Sequence, residues 1–251
     1  MIGVPIDLLD QDPQMQKIKA GSHSRLAVFE ACKFHAKLAF VDRIPEPARP
    51  LPPGKTEHAN DRGTRIHEAA EKFVGGGVEL IAELKGFEAE LLQLRELAKR
   101  GQVSTEGEWA FDRKWGPVAW MSSDVWIRIK CDAVVFMDPS WAVIIDYKSG
   151  KRWGNEIKHA EQMQLYQLGA FLKYPKLKRA TVELWYTDQD ELHSMDYKRE
   201  QGLRFVTGVE KRMTTMLDEE EFPPNPNIHT CRWCPYKPTA LGGTGHCSVG
   251  V

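Results

Sequence analysis

Two short runs near the middle of the chain read as the strands of one hairpin, and both carry an acid at the same end. In Val125-Trp-Ile-Arg-Ile-Lys-Cys-Asp132 apolar and polar residues alternate with period two. Val125, Ile127, Ile129 and Cys131 then share one face, and Trp126, Arg128, Lys130 and Asp132 the other. The next apolar run, from Trp141 to Lys148, is β-branched and aromatic, and Met137-Asp-Pro-Ser140 before it has turn chemistry. Pairing centred near Pro139 sets residues whose numbers sum to 278 opposite one another, and 132 with 146 is such a pair. Carboxylates facing each other across a sheet, with Cβ atoms about 4.5–5.5 Å apart, repel unless a cation neutralises them. Lys148 has the parity of Asp146, so its amine rises from the same face, where it can stabilise an attacking hydroxide or a charged phosphorane. Two acids and an amine so placed suit metal-dependent phosphodiester hydrolysis. An isolated Asp-x-Lys is more often an ion pair on a solvated sheet face, so the rest of the chain has to decide.

The order along the chain is mixed α/β. A Ser22 or Ser24 cap opens a helix to Phe40 that carries Cys32, and a proline-rich connector over 44–53 leads to a helix over 60–74 bearing His67, stopped by Gly75-Gly-Gly77. Leucines at helical intervals predict a helix over 78–100, strands fill about 106–148, and a helix over 155–172 places Gln162 and Tyr166 on one face. A strand over 180–186 and an amphipathic segment over 200–217 complete the order.

With 251 residues, 42% hydrophobic and 27% charged, the chain suits one large soluble domain or a core with appendages. Its net charge of −1 provides no global basic field, so any nucleic-acid groove must be local. Lys148-Ser-Gly-Lys-Arg-Trp-Gly154 and Lys173-Tyr-Pro-Lys-Leu-Lys-Arg179 mix cations with aromatic rings able to stack on bases. The second reads at least as well as a helix end complementing its dipole, which leaves Lys151 and Arg152 as the phosphate contacts to expect. No apolar run approaches the roughly 18 residues of a membrane helix, and Met1 to Asp7 lacks the features of a secretory signal, so a cytoplasmic protein without a membrane partner is expected.

Of five cysteines, Cys131 falls on the apolar face of its strand and belongs to the core. Cys231-Arg-Trp-Cys234, Cys247 and Cys32 form a possible tetrathiolate set. The stretch from Phe222 to Cys247 is too rich in proline and glycine to pack alone, and four thiolates around zinc or an iron–sulfur cluster would anchor it. His229 and His246 leave a three-cysteine, one-histidine zinc site open.

Gly63-Thr-Arg-Ile-His-Glu68, Asp132, Asp146-Tyr-Lys-Ser-Gly-Lys151 and Gln162-Met-Gln-Leu-Tyr166, in this order and with one cysteine upstream and three downstream, resemble a known family. It is the RecB-like branch of the PD-(D/E)XK nuclease superfamily, in particular its iron–sulfur members related to CRISPR-associated and AddB-type exonucleases. The resemblance implies an α/β, restriction-endonuclease-like core with a mixed central β-sheet flanked by helices. It also implies a tail over 1–21, a nuclease domain over 22–221 and a Cys-rich segment over 222–251 that completes a metal site with Cys32. His67, Asp132, Asp146 and the Tyr147 carbonyl would hold Mg²⁺ or Mn²⁺, with Asp132, Asp146 and Lys148 catalytic and Lys148 positioning or activating the water. Gln162 and Tyr166 would support the DNA. Cys32, Cys231, Cys234 and Cys247 would hold a 4Fe–4S cluster, with structural zinc as the alternative. An additional acid is expected on the strand before the hairpin, and Glu106 and Glu108 both qualify. The implied activity is a DNA exonuclease acting on single strands or free ends in recombination, repair or replication of a phage or bacterium. The chain has no GxxxxGK[ST] loop, so a helicase motor would be a separate partner. A catalytically silent nucleic-acid-binding or assembly module, and a structure-specific or spacer-processing endonuclease, are the alternatives.

Overall fold

The computed structural model describes residues 17–48, 51–77 and 79–251; most of the expected tail over 1–21 lies outside them. In chain order the elements begin with α1 (His23–Ala31), α2 (Lys33–Ala36), α3 (Ala59–Val74) and α4 (Glu88–Lys99). Strands β1 (Val103–Phe111), β2 (Pro117–Val118), β3 (Ile127–Asp138) and β4 (Trp141–Lys148) follow, then α5 (Glu156–Lys173), β5 (Arg179–Tyr186) and β6 (Glu191–Lys198). The chain ends with α6 (Arg199–Gly202), α7 (Val206–Leu217) and α8 (Ile228–Cys231). Among the described residues there are two compact units, one from 17–48 with 211–251 and one from 51–210.

The central unit is a six-stranded mixed sheet of order β2-β1-β3-β4-β5-β6. All pairs are antiparallel except β4 with β5, which run parallel because α5 carries the chain back between them. Helices cover both faces. Ile66, Ala70 and Phe73 of α3 and Leu91 and Leu94 of α4 bury against Ala133, Val135, Ile145, Tyr147 and Trp185. Asp146 and Lys148, the strand neighbours of Tyr147, bond instead to residues of α5, which therefore lies on the opposite face.

α5 approaches this face so closely that its glycine has a steric reason. A Cβ on Gly169 would lie 2.7 Å from Ile129 Cδ1 and 2.9 Å from Trp109 Cε3. Gly169→Leu should therefore cost about 1–3 kcal/mol of overpacking, more than the roughly 1 kcal/mol of helix propensity it gains. Urea unfolding checks this, and a neutral or stabilised variant would refute the close packing.

Four sequence expectations change. Strand β6 was not expected: Tyr197 is its one buried residue, and a run that is polar on both faces has no alternation to read. The helix expected over 78–100 becomes a 3₁₀ turn (Ala82–Phe87) followed by α4, and Gly86 within the turn lies against the Asp190 side chain where a Cβ would clash. Val78 itself lies outside the described residues. Trp126, assigned to the polar face of its strand, is buried edge-on against Trp115 at 5.1 Å. Finally, the first helix breaks at Cys32, which has extended backbone (φ −161°, ψ 113°) and separates α1 from α2 instead of sitting within one helix.

In the unit drawn from both chain ends, one cluster groups Leu38, Tyr236 and Cys247 with Phe34, Ala39, Ile44 and Cys234 against it, and Leu26, Phe29, Met213, Met216 and Phe222 are buried as well. Tyr236 Oη donates to the Ile44 carbonyl at 2.8 Å, Phe29 meets Phe222 edge-on, and Arg212 pairs with Glu30 at 2.6 Å.

Candidate functional site

The hairpin register places both acids at a fork in the sheet. Ala133↔Ile145, Val134↔Ile144, Val135↔Val143 and Phe136↔Ala142 all sum to 278, and a register shift between Phe136 and Asp138 lets Asp138↔Trp141 close a two-residue turn. The β3–β4 pairing begins at Ala133↔Ile145, one step short of the acids, while β4 continues beside β5 to Lys148↔Tyr186. At the fork the Tyr147 N–H donates to Asp132 Oδ2 at 2.6 Å. A carboxylate thus takes the bond that a strand carbonyl would otherwise accept.

The alternation of β3 slips at the same place. Cys131 and Val134 both crowd the position a Gly107 Cβ would take, so they lie on one side although they are three residues apart. The neighbouring strand accommodates the slip with Glu106 in the left-handed region (φ 51°). Gly107 leaves the space that Cys131 fills.

Four elements bring the polar groups together. From α3, His67 Nδ1 lies 2.8 Å from Asp132 Oδ1. From α5, Tyr166 Oη donates to Asp146 Oδ1, and Gln162 donates to Tyr166 Oη at 2.6 Å while accepting from Lys148 Nζ at 2.8 Å. Asp146 is 4% exposed; its Oδ2 forms an ion pair with Lys148 but takes no aligned hydrogen bond.

Burial, then the charge of Asp146, raise the Asp132 carboxyl above its ordinary range, against the opposing pull of His67 and the Tyr147 N–H. Burial alone would push the His67 imidazole down, but its bond to Asp132 and the charges of Asp132 and Asp146 outweigh this and raise it. Both shifts favour the protonated form in the folded state. Stability from His67 is complete below its ordinary value of 6.5 and is lost as pH rises through the raised folded value. Thermal unfolding in chelator should show a midpoint falling as pH rises above 6.5, with the fall diminished in His67→Asn. A midpoint that rises in wild type would contradict the pairing.

A divalent cation fits this donor set. Two carboxylates, one raised by burial and by the other's charge, stand beside one imidazole, and hard oxygen donors with an imidazole suit Mg²⁺ or Mn²⁺. Among the described residues no three His, Cys, Asp or Glu side chains are already grouped to hold an ion. The acids are instead engaged with His67, Lys148, Tyr166 and the Tyr147 N–H.

Of the expected DNA contacts, Tyr166 is 3% exposed and, with the half-buried Gln162, bonds to Asp146 and Lys148. Helical spacing correctly puts the two on one face, and tertiary packing buries Tyr166 there. Arg152 is ion-paired with Glu191, while Lys151 is exposed. Glu106 and Glu108 both turn to Lys130, at 2.8 and 3.9 Å. Sequence reasoning missed His159, whose Nδ1 lies 2.7 Å from Tyr186 Oη beside the end of β4. Burial and the nearby Lys148 charge lower His159 to about 4, so its ring is neutral at physiological pH. It also missed Arg62, which donates to the Ser149 carbonyl at 3.0 Å and clasps Asp188, tying the start of α3 to the loop after Lys148.

In the unit of the chain ends, Cys32, Cys231, Cys234 and Cys247 line one cavity as free thiols. Burial, with the nearby Cys247, Cys32 and Cys231, raises the Cys234 thiol. Neither His229 nor His246 lines this cavity. Cys131 is buried in the central sheet.

A sequence model of the PD-(D/E)XK nuclease superfamily matches residues 20–239. No curated protein matches the chain. Similar solved structures include a candidate exonuclease from Eubacterium rectale, at 11% identity over 89% of this chain and 90% of that one with a TM-score of 0.45. Another is an alkaline exonuclease from Laribacter hongkongensis, at 14% identity over 82% and 89% with a TM-score of 0.34. With the superfamily match spanning both the fork of acids and most of the chain around it, this protein belongs to the PD-(D/E)XK nuclease superfamily.

Proposed function

We propose that this nuclease is a Mg²⁺- or Mn²⁺-dependent DNA exonuclease. The observation that carries the reading is the convergence of His67, Asp132, Asp146 and Lys148 at one fork of the sheet. Asp132, Asp146, the Tyr147 carbonyl and His67 would hold the ion, which supplies positive charge to the scissile phosphate. The Nδ1 of His67 also bonds Asp132, which fixes the orientation of both side chains. Lys148 presents an ammonium where charge builds on the phosphate, and Gln162 keeps it aimed. Tyr166 fixes the Asp146 carboxylate from the interior side.

Exonuclease over endonuclease, and single-stranded or free-ended DNA as substrate, rest on the RecB-like motif order. So do a phage or bacterial setting in recombination, repair or replication and a separate helicase partner. No described helix is long and apolar enough to cross a membrane, and we place the protein in the cytoplasm. The four cysteines are assigned to an iron–sulfur cluster of the 4Fe–4S type, with zinc as the alternative; their shared cavity supports the assignment.

Protein prepared without oxygen and given end-labelled linear and circular single-stranded DNA with Mg²⁺ or Mn²⁺ tests the whole reading. Cleavage of linear DNA alone supports it. Cut circles would make the enzyme an endonuclease, and binding without cleavage in Mn²⁺ would make it a silent module.

A further inference from the structure

The basic, aromatic turn between β4 and α5 has a component that the catalytic fork does not use. Trp153 is 68% exposed, and Ile157, just beyond the helix cap Asn155, is 80% exposed. Scattered exposed apolar residues are ordinary on protein surfaces. This tryptophan differs because the turn that carries it is fixed on every side. The Arg152 N–H donates to Gln189 Oε1 at 2.9 Å, and the Arg152 guanidinium pairs with Glu191. Asn155 bonds back to the Arg152 carbonyl through its N–H at 3.1 Å and to the Lys151 carbonyl through its side chain at 3.0 Å. Gly154 supplies the left-handed residue (φ 85°), and its N–H is held by Glu156 at 2.8 Å. A large ring is thus presented to solvent on a pre-set turn, which removes the ordering cost that a mobile loop would incur on binding.

Both ends of the turn belong to the candidate active site. Lys148 precedes it, and the α5 residues His159 and Gln162 that follow it sit beside Tyr186 and Lys148. Five residues of extended chain span at most about 17 Å, so Trp153 stands within the reach of a short oligonucleotide whose phosphate lies at Lys148. The flanking Lys151 and Lys158 are exposed and cationic. The Arg152 guanidinium lies over the Trp153 ring at 5.6 Å, and the ring, still 68% exposed, keeps a π-face open to a nucleobase beside the candidate phosphodiester site.

We infer that Trp153 is a stacking platform for one base of a single-stranded DNA substrate, holding the strand so that a neighbouring phosphate reaches the fork. The inference rests on the nuclease reading above and names how that site engages its substrate. Phosphates lie toward Lys151 and Lys158, and the contact is indifferent to base identity because every base has a π-face.

Binding of wild type, Trp153→Ala and Trp153→Phe is measured by fluorescence anisotropy in EDTA. The probes are a thymidine oligonucleotide and an abasic oligonucleotide of equal length. Trp153→Ala should weaken binding of the base-bearing strand roughly five- to hundred-fold and leave the abasic strand unchanged. Trp153→Phe should recover most of the loss, and circular dichroism should show all three equally folded. If Trp153→Ala binds the thymidine strand as wild type does, or loses both strands equally, the platform is refuted. Wild type that cuts DNA while Trp153→Ala binds unchanged overturns this inference alone. Wild type that neither binds nor cuts overturns the nuclease reading and the platform with it.

Discussion

Asp146→Asn lowers DNA cleavage by at least about a thousandfold and leaves the protein folded. The activity loss follows because the change removes one of two carboxylates able to hold a divalent cation, whose charge stabilisation amounts to several kcal/mol of barrier. Retention of fold follows from the environment of the pair. Asp132 is raised by burial and by the charge of Asp146, so neutralising Asp146 relieves a repulsion and lets Asp132 fall back toward its ordinary value. The asparagine carbonyl can still accept from Tyr166, so the interior brace remains. Against this, Lys148 loses its ion-pair partner and keeps only Gln162. The two changes oppose, and the unfolding free energy should move by about 1 kcal/mol or less. Lys148→Ala should match Asp146→Asn in lost cleavage. Single-turnover rates in Mn²⁺, together with unfolding curves, check all of this; cleavage persisting in either variant would remove the fork from the chemistry.

The fork was partly legible in the sequence. Alternation in 125–132 and a turn at Pro139 give the observed register, because one buried face fixes strand pairing to within a single residue. His67 on a helix stopped by glycines and a helix across 156–173 were equally readable from period and punctuation. The break in the β3–β4 pairing at the acids was not. Extrapolated alternation puts Asp132 and Asp146 face to face, but the slip in β3 depends on Glu106 adopting φ 51°, and a glutamate carries no local signal for that conformation. The interior place of Tyr166 was hidden for a related reason. A Gln/Tyr pair four residues apart defines a helix face, and only the packing of α5 on the sheet buries Tyr166 while leaving Gln162 half-buried. β6 is an edge strand with polar residues on both faces, so its existence comes from pairing with β5 and not from its own pattern.

If the cysteines hold a metal as proposed, replacing Cys231 by serine should abolish its binding and unfold the segment it anchors, leaving the central sheet standing. The segment over 222–251 contributes only the four-residue α8 and a single 3₁₀ turn (Thr239–Leu241), packed in part on the cluster of Leu38, Tyr236 and Cys247. A segment with so little regular structure and so many prolines and glycines is held by what it is anchored to, and a structural metal bound by thiolates would contribute on the order of 10 kcal/mol. The four thiols line one cavity without disulfides, and burial, with the neighbouring thiols, raises Cys234, which a bound cation would offset. Metal analysis and visible absorption of anaerobic protein identify the ion: brown protein containing iron supports the cluster, and colourless protein containing zinc replaces it with the structural alternative. Limited proteolysis then reads the fold, with early cuts expected in the segment over 222–251 of the variant and far-UV dichroism from the sheet retained. Cys131→Ser is the control, because this thiol is buried in the sheet 3.7 Å from the Gly107 carbonyl and should affect neither metal nor protease pattern. A metal-free wild type whose terminal segment resists protease as well as the loaded protein does would show that packing alone holds the unit, and the four cysteines would lose their assigned role.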